Sequence, residues 1–170
     1  MTGGLHTPVP APRHTFLEAG RGHYGAAAQL AKEPKHVGPA DHLAGLAAEC
    51  AIKAMLIDYF GSVQDTPLGI PYSPKVRNRP VDSKTQQKKA EKESQHWHMP
   101  DVWDDLVKLA HGRHGSLILS RLPQDNPFAE TADEWSVHHR YVDGQQISEE
   151  RVARHLEAAR TLIAAYYHAQ

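Results

Sequence analysis

The most apolar run in the chain, Leu43 to Phe60, is hydrophobic on nearly every side. Leu43, Leu46, Cys50, Ala54 and Ile57 fall on one stripe at helical spacing, and Ile52, Met55 and Tyr59 make a second apolar face. A helix apolar almost all round has neighbours on both sides, so this one is expected at the centre of the fold. Pro39 suits its first turn, where a missing N–H is not needed, and Gly61 is a natural stop. The polar exceptions, Glu49 and Lys53, stand four residues apart and can pair along one face. A second well-marked helix closes the chain. Ser148 is a good N-cap, Glu149 and Glu150 suit the positive helix end, and Val152, Leu156, Ala159, Ile163 and Tyr166 form its apolar stripe.

Weaker patterns fill the rest. Thr15-Phe-Leu-Glu18 reads as a capping box opening a helix to about Ala31, which Gly20, Gly22 and Gly25 weaken. Pro100 opens another, with Val102, Trp103, Leu106, Leu109 and Ala110 on its apolar side; Gly112 and Gly115 break it, and Ser116 to Leu122 adds a further turn or two. Residues 1–14, rich in Gly and Pro, read as a flexible leader. Between Gly61 and Met99 the periodicity collapses around Pro67, Pro71, Pro74 and Pro80, which predicts a long, partly disordered loop. Within it, Ser83 to Gln95 can make a short polar helix packed on little. No run of alternating strand residues is visible. The expected fold is all-α, an antiparallel bundle of four to five helices forming one domain over residues 15–170.

Composition narrows the function classes. The chain has 170 residues, 40% hydrophobic and 23% charged, with a net charge of −1 and a pI near 6.9, so no global field draws it to nucleic acid or membrane. Glu49, Lys53 and Asp58 interrupt the most apolar stretch, which excludes a membrane span there. One cysteine, Cys50, rules out an internal disulfide framework and reads as a small core residue. With no apolar signal-peptide core in MTGGLHTPVPAPRH, the expected compartment is the cytoplasm. A G-x-S-x-G elbow, a Walker loop and a dinucleotide fingerprint are all missing.

Three sequence features bear candidate chemistry. Among 13 histidines, His96-x-His98, His111-x-x-His114 and His138-His139 hold enough imidazoles for a transition metal, but none shows the H-E-x-x-H helical spacing. Capping or surface histidines are the simpler account, and no metal is expected. From Lys75 to Glu93, seven cations (Lys75, Arg77, Arg79, Lys84, Lys88, Lys89 and Lys92) face three acids, a local net charge of +4. Such a run is either a solvated loop or an arm that grips phosphates. The heptapeptide Trp135-Ser-Val-His-His-Arg-Tyr141 places a guanidinium and two imidazoles between two large rings. The expected structural role is for Trp135 and Tyr141 to bury their rings and for Arg140 to pair with a buried acid such as Glu49. The functional alternative is a polar cleft where Arg140, His138 or His139 meets a phosphate.

Taken together, A-A-E-C-A-I-K-A-M-L (47–56), D-D-L-V-K-L-A (104–110), W-S-V-H-H-R-Y (135–141) and the alanine-rich last helix resemble the HEPN superfamily. Its members are small helical bundles with an E-x-x-x-K central helix and a Trp and R-Y element before the last helix. The resemblance implies a dimer, found in prokaryotic toxin–antitoxin, phage-defence and RNA-processing systems. Active members are metal-independent RNases with an Arg followed, after four to six residues, by a His near the start of the last helix. No arginine here has a histidine at that spacing; Arg151-Val-Ala-Arg-His155 comes nearest, with three intervening residues. At i,i+4 the pair shares a face, so Arg151 can clamp a phosphate while His155 moves a proton, although an exposed helix face is the plainer expectation.

The leading functional expectation is therefore a cytoplasmic, dimeric, HEPN-like interaction module without catalysis or cofactor, binding a protein partner, RNA or nucleotide. Its expected binding residues are Glu49, Lys53, His138, His139, Arg140, Tyr141, Lys84, Lys88 and Lys89. One alternative is a metal-independent RNase using Arg151 and His155. The other is a metal-dependent hydrolase built on His96, His98, His138 and His139.

Overall fold

The computed structural model describes residues 15–66, 69–131, 134–141 and 144–170; the Gly/Pro-rich leader lies outside them. Seven α-helices make up the described chain: α1 (Phe16–Leu30), α2 (Val37–Asp58), α3 (Pro74–Arg77), α4 (Lys84–Ser94), α5 (Asp101–Leu109), α6 (Gly112–Leu119) and α7 (Glu149–His168). Short 3-10 turns, Pro34–His36 and Val137–Tyr141, precede α2 and α7. The fold is an all-α bundle. No helix among the described residues is long and apolar enough to cross a membrane.

The all-round apolar pattern of α2 means what it suggested. Thirteen of its residues, all lying between Ala40 and Leu56, are buried, with α1 and α7 packed along it and α5 covering a further face. Small side chains make this possible. A Cβ on Gly20 would lie 3.1 Å from the Ala47 carbonyl oxygen and 3.2 Å from the Cys50 Cβ, so the glycine that weakens α1 in isolation lets it lie close to α2. The core continues through Trp103 and Leu106 of α5, Ile118 of α6, Phe128 and Trp135 of the connecting loop, and Leu162 of α7.

Helix directions follow from contacts at the two ends. The short link between α1 and α2 folds them back as an antiparallel hairpin. In contrast, α7 runs parallel to α2. Asp41, near the start of α2, bonds to His155 near the start of α7 at 2.7 Å, while at the other end the Tyr166 hydroxyl donates to Asp58 at 2.7 Å and the Tyr59 hydroxyl to the Tyr166 carbonyl at 3.0 Å. Residues 59–148 make the return journey.

Several local details differ from the sequence reading. Thr15 is the N-cap of α1, but its side chain makes no cap bond and Glu18 instead pairs with the exposed Arg21 at 3.2 Å, so the capping box does not form. The connection 61–99 carries helices α3 and α4. Isolated antiparallel bridges Val63–Tyr72 and Tyr72–Gln95 tie the connection together, with the Ser73 N–H donating to the Ser94 carbonyl at 2.9 Å, while the Ser62 N–H donating to the Leu56 carbonyl at 2.9 Å and His98 on Glu49 at 3.1 Å join it to α2. The expected polar helix is α4, capped by the Ser83 hydroxyl accepting from the Gln86 N–H at 3.2 Å. Ala90 and Ser94 are buried, so one face of α4 is packed.

Trp135 is fully buried, its indole lying across Gly45 of α2 so closely that any Cβ at that position would overlap the ring's Cε2 and Nε1 atoms. Both are rigidly placed, so relief requires moving a helix. Gly45→Ala is expected to cost about 1–3 kcal/mol, seen as a lower urea midpoint with an unchanged slope of unfolding free energy against urea.

Candidate functional site

The first turns of α2 and α7 meet around one buried carboxylate. Asp41 is wholly inaccessible, and three donors converge on it: His155 Nδ1 at 2.7 Å on Oδ1, and Arg151 Nε at 3.2 Å and Nη2 at 3.0 Å on Oδ2. His155 also has no exposure, and its Nε2 faces the Pro127 carbonyl at 3.1 Å. Both partners of that ring are acceptors, so both bonds exist together only when each nitrogen carries hydrogen. Phe128 stacks on the imidazole with ring centres 4.4 Å apart. Burial alone would raise the Asp41 carboxyl, but the hydrogen bonds and charges of His155 and then Arg151 outweigh it and hold the group below the usual carboxylate range.

The shell around this centre comes from the loop before α7. The Trp135 indole N–H donates to the Asp41 carbonyl at 3.1 Å, and its backbone N–H to the Phe128 carbonyl at 2.9 Å. His139 Nδ1 accepts from Arg151 Nη2 at 3.1 Å and from the Ser136 N–H at 3.3 Å. A nitrogen that accepts twice bears no hydrogen, so His139 carries its proton on Nε2. Burial first, and the neighbouring Arg151 second, push the His139 pKa below its ordinary value. His42 is lowered in the same way, by burial and then by Arg140.

Arg151 and His155 thus share a face of α7, as their spacing implies, but that face is interior: they are 5% and 0% exposed. The expectation of an exposed face is overturned because Asp41 offers a better partner than water. Asp41 itself was not picked out in the sequence. An acid at the start of a helix ordinarily complements the dipole, and only the alanines and glycine around Asp41 hint at burial.

The remaining residues separate into distinct places. Glu49 and Lys53 do pair, at 2.7 Å, and both are buried. Glu49 also meets His98 Nδ1 at 3.1 Å and the Met99 N–H at 3.3 Å, so its acceptors are engaged without Arg140. The expected Arg140–Glu49 pair is not made; Arg140 is exposed and lies over the Tyr141 ring at 4.7 Å. Tyr141 is no anchor either, being 74% exposed, whereas Trp135 is. His138 is exposed in the same turn. His96 is buried between Ser62 Oγ at 2.9 Å and Asp105 Oδ2 at 3.0 Å. Hydroxyl, imidazole and carboxylate thus stand in one hydrogen-bonded row, but Ser62 is only 4% exposed, and the row pins the 61–99 connection to α5. Asp41 and Glu49 lie two turns apart on α2, about 12 Å by helical rise, which separates the His138–His139 pair from His98. Among the described residues no three His, Cys, Asp or Glu side chains group as metal ligands. Burial raises the Cys50 thiol to about 11, with Glu49 adding to the effect, so it is a poor nucleophile.

Lys84, Lys88, Lys89 and Lys92 all project into solvent from α4. Lys84, Lys88 and Lys92 repeat every fourth residue, a row with roughly 6 Å between successive turns. Of these four, only Lys89 has a carboxylate within 4 Å among the described residues, Glu93 at 3.7 Å. Arg77, by contrast, is engaged with Asp65 at 3.3 Å and lies over the Tyr72 ring at 4.3 Å.

Comparison with protein-family models, with curated proteins and with solved structures finds no match.

Removing one partner from the buried network strands the others. Asp41→Asn is expected to destabilise the protein by about 3–5 kcal/mol, measurable by urea denaturation. The histidines set a pH dependence of known sign. His42 and His139 sit below the ordinary 6.5, so the unfolded chain takes up their protons first. Their contribution is complete above that value and declines as pH falls through it. Melting temperature is expected to drop between pH 7.5 and pH 5.5, faster than in the His139→Gln variant.

Proposed function

We propose that the chain is a non-catalytic, dimeric, HEPN-like module of the cytoplasm that binds RNA through the lysine row of α4. The observation that carries this reading is the contrast in where the cations sit. Arg151 and His155, the pair nearest to an RNase motif, are enclosed and engaged by Asp41, whereas Lys84, Lys88, Lys89 and Lys92 are exposed and, among the described residues, only Lys89 has an acid in range. A general base must reach the proton it removes, and a ring enclosed between Asp41, Pro127 and Phe128 offers no such approach. Solvated lysines at turn spacing suit a flexible polyanion, because each phosphate contact releases a counterion.

The test is fluorescence anisotropy with an unstructured 20-nucleotide RNA across a salt series, alongside light scattering for the dimer. The Lys84→Gln/Lys88→Gln/Lys89→Gln variant is expected to bind about tenfold or more weakly, with the slope of log K against log salt shallower by roughly 2. Equal binding by wild type and variant overturns the lysine row. RNA cleavage that survives EDTA and disappears in a folded His155→Gln variant overturns the non-catalytic reading.

A further inference from the structure

We propose that the surface where the 3-10 turn 137–141 meets the start of α2 binds a phosphate group, held by His42, His139 and Arg140. The site has a rigid floor. Trp135 is fixed by its bond to the Asp41 carbonyl and by its seat on Gly45, and the His42 ring stacks on it with centres 5.5 Å apart and planes 13° from parallel. Stacking, not hydrogen bonding, aims that imidazole. Its Nδ1 is buried without a partner, an arrangement that costs free energy and returns nothing to the fold. Its Nε2 makes no bond within the described protein and is not enclosed.

His139 supplies a second donor. Because its Nδ1 accepts from Arg151 and from the Ser136 N–H, its hydrogen is on Nε2, which meets no acceptor among the described residues. Arg140 supplies the third. It is exposed, has no carboxylate partner among the described residues, and rests on the Tyr141 ring at 4.7 Å. Behind these three stand Arg151 and His155, with Asp41 as their shared counter-charge. Among the described residues, the other ionisable groups acting on these two rings are His23 of α1 and Glu134. Burial is the main cause that lowers His42 and His139; after it Arg140 lowers the first and Arg151 the second, while Asp41 opposes both and Glu134 opposes the shift at His139. A tetrahedral anion matches one guanidinium and two imidazole N–H donors, and charge-assisted bonds of this kind are the strong ones. The phosphate can belong to an RNA strand or to a free nucleotide. This site is separate from the lysines of α4, so either reading can fail alone.

The test follows the ring signals of His42 and His139 by ¹H–¹⁵N NMR on the full chain at constant ionic strength. The probes are inorganic phosphate, adenosine 5′-monophosphate, and one RNA oligomer with a 5′-phosphate or a 5′-hydroxyl. Saturable shifts of both rings with inorganic phosphate are expected, weakened about tenfold or more in Arg140→Gln. His42→Phe keeps the stack, removes the unpaired nitrogen, and is expected to lose the response while melting no lower than wild type. Response to the free nucleotide alone assigns the phosphate to a small molecule; response to the 5′-phosphorylated RNA but not its 5′-hydroxyl form assigns it to a strand end. No saturable shift with any probe, or an undiminished response in Arg140→Gln, overturns the proposal.

Discussion

A carboxylate with no access to water is tolerable only when charged donors surround it, and Asp41 organises its neighbourhood on that condition. The requirement fixes which residues of α7 face α2, since turning α7 by one residue, about 100°, would leave an acid, a guanidinium and an imidazole unpaired at once. It also reaches beyond the helices. Arg151 enlists His139 from the 3-10 turn, and His155 enlists the Pro127 carbonyl and the face of Phe128. Hydrophobic residues of the same volume would stabilise such a site equally well. What charge contributes is a single permitted register.

Packing around α2 imposes a complementary constraint. A helix that touches α1, α5, α7 and the Trp135 loop has little room for long side chains, and alanines and a glycine occupy most of the contact faces. Glu49 and Lys53 enter this crowded face as a pair and, through His98, tie it to the start of α5. The polar residues of α2 are therefore joints. Asp41 joins it to α7, Glu49 to the end of the 61–99 connection, and Asp58 to the last turns of α7.

The sequence made the elements legible where one residue carries the signal. Ser148 caps the helix it was expected to cap, and a doubly apolar α2 is central. The arrangement around the site was less legible, for a physical reason. Whether an acid such as Asp41 faces water or a guanidinium depends on a partner 110 residues away, and periodicity carries no long-range information. Arg151 and His155 were correctly grouped by their i,i+4 spacing, yet the same spacing fits an exposed face or a buried one. Tyr141 and Trp135 are both large aromatic residues in one short segment, and only the cleft above Gly45 distinguishes the ring that is buried from the one that is not. The 61–99 connection read as a loop because bridges of single residue pairs, such as Val63–Tyr72, leave no alternating pattern.

The parallel alignment of α2 and α7 has a consequence for how the chain assembles. Their polar contacts span 107 to 114 residues, so closing them sacrifices the freedom of a long intervening segment before any contact energy returns. The α1–α2 hairpin, by comparison, is local. During synthesis the hairpin can form early, but one flank of α2, including the Asp41 carboxylate, waits for the twenty residues of α7 to emerge. The nascent chain therefore exposes that flank of its most apolar helix until α7 arrives as the latch that covers it.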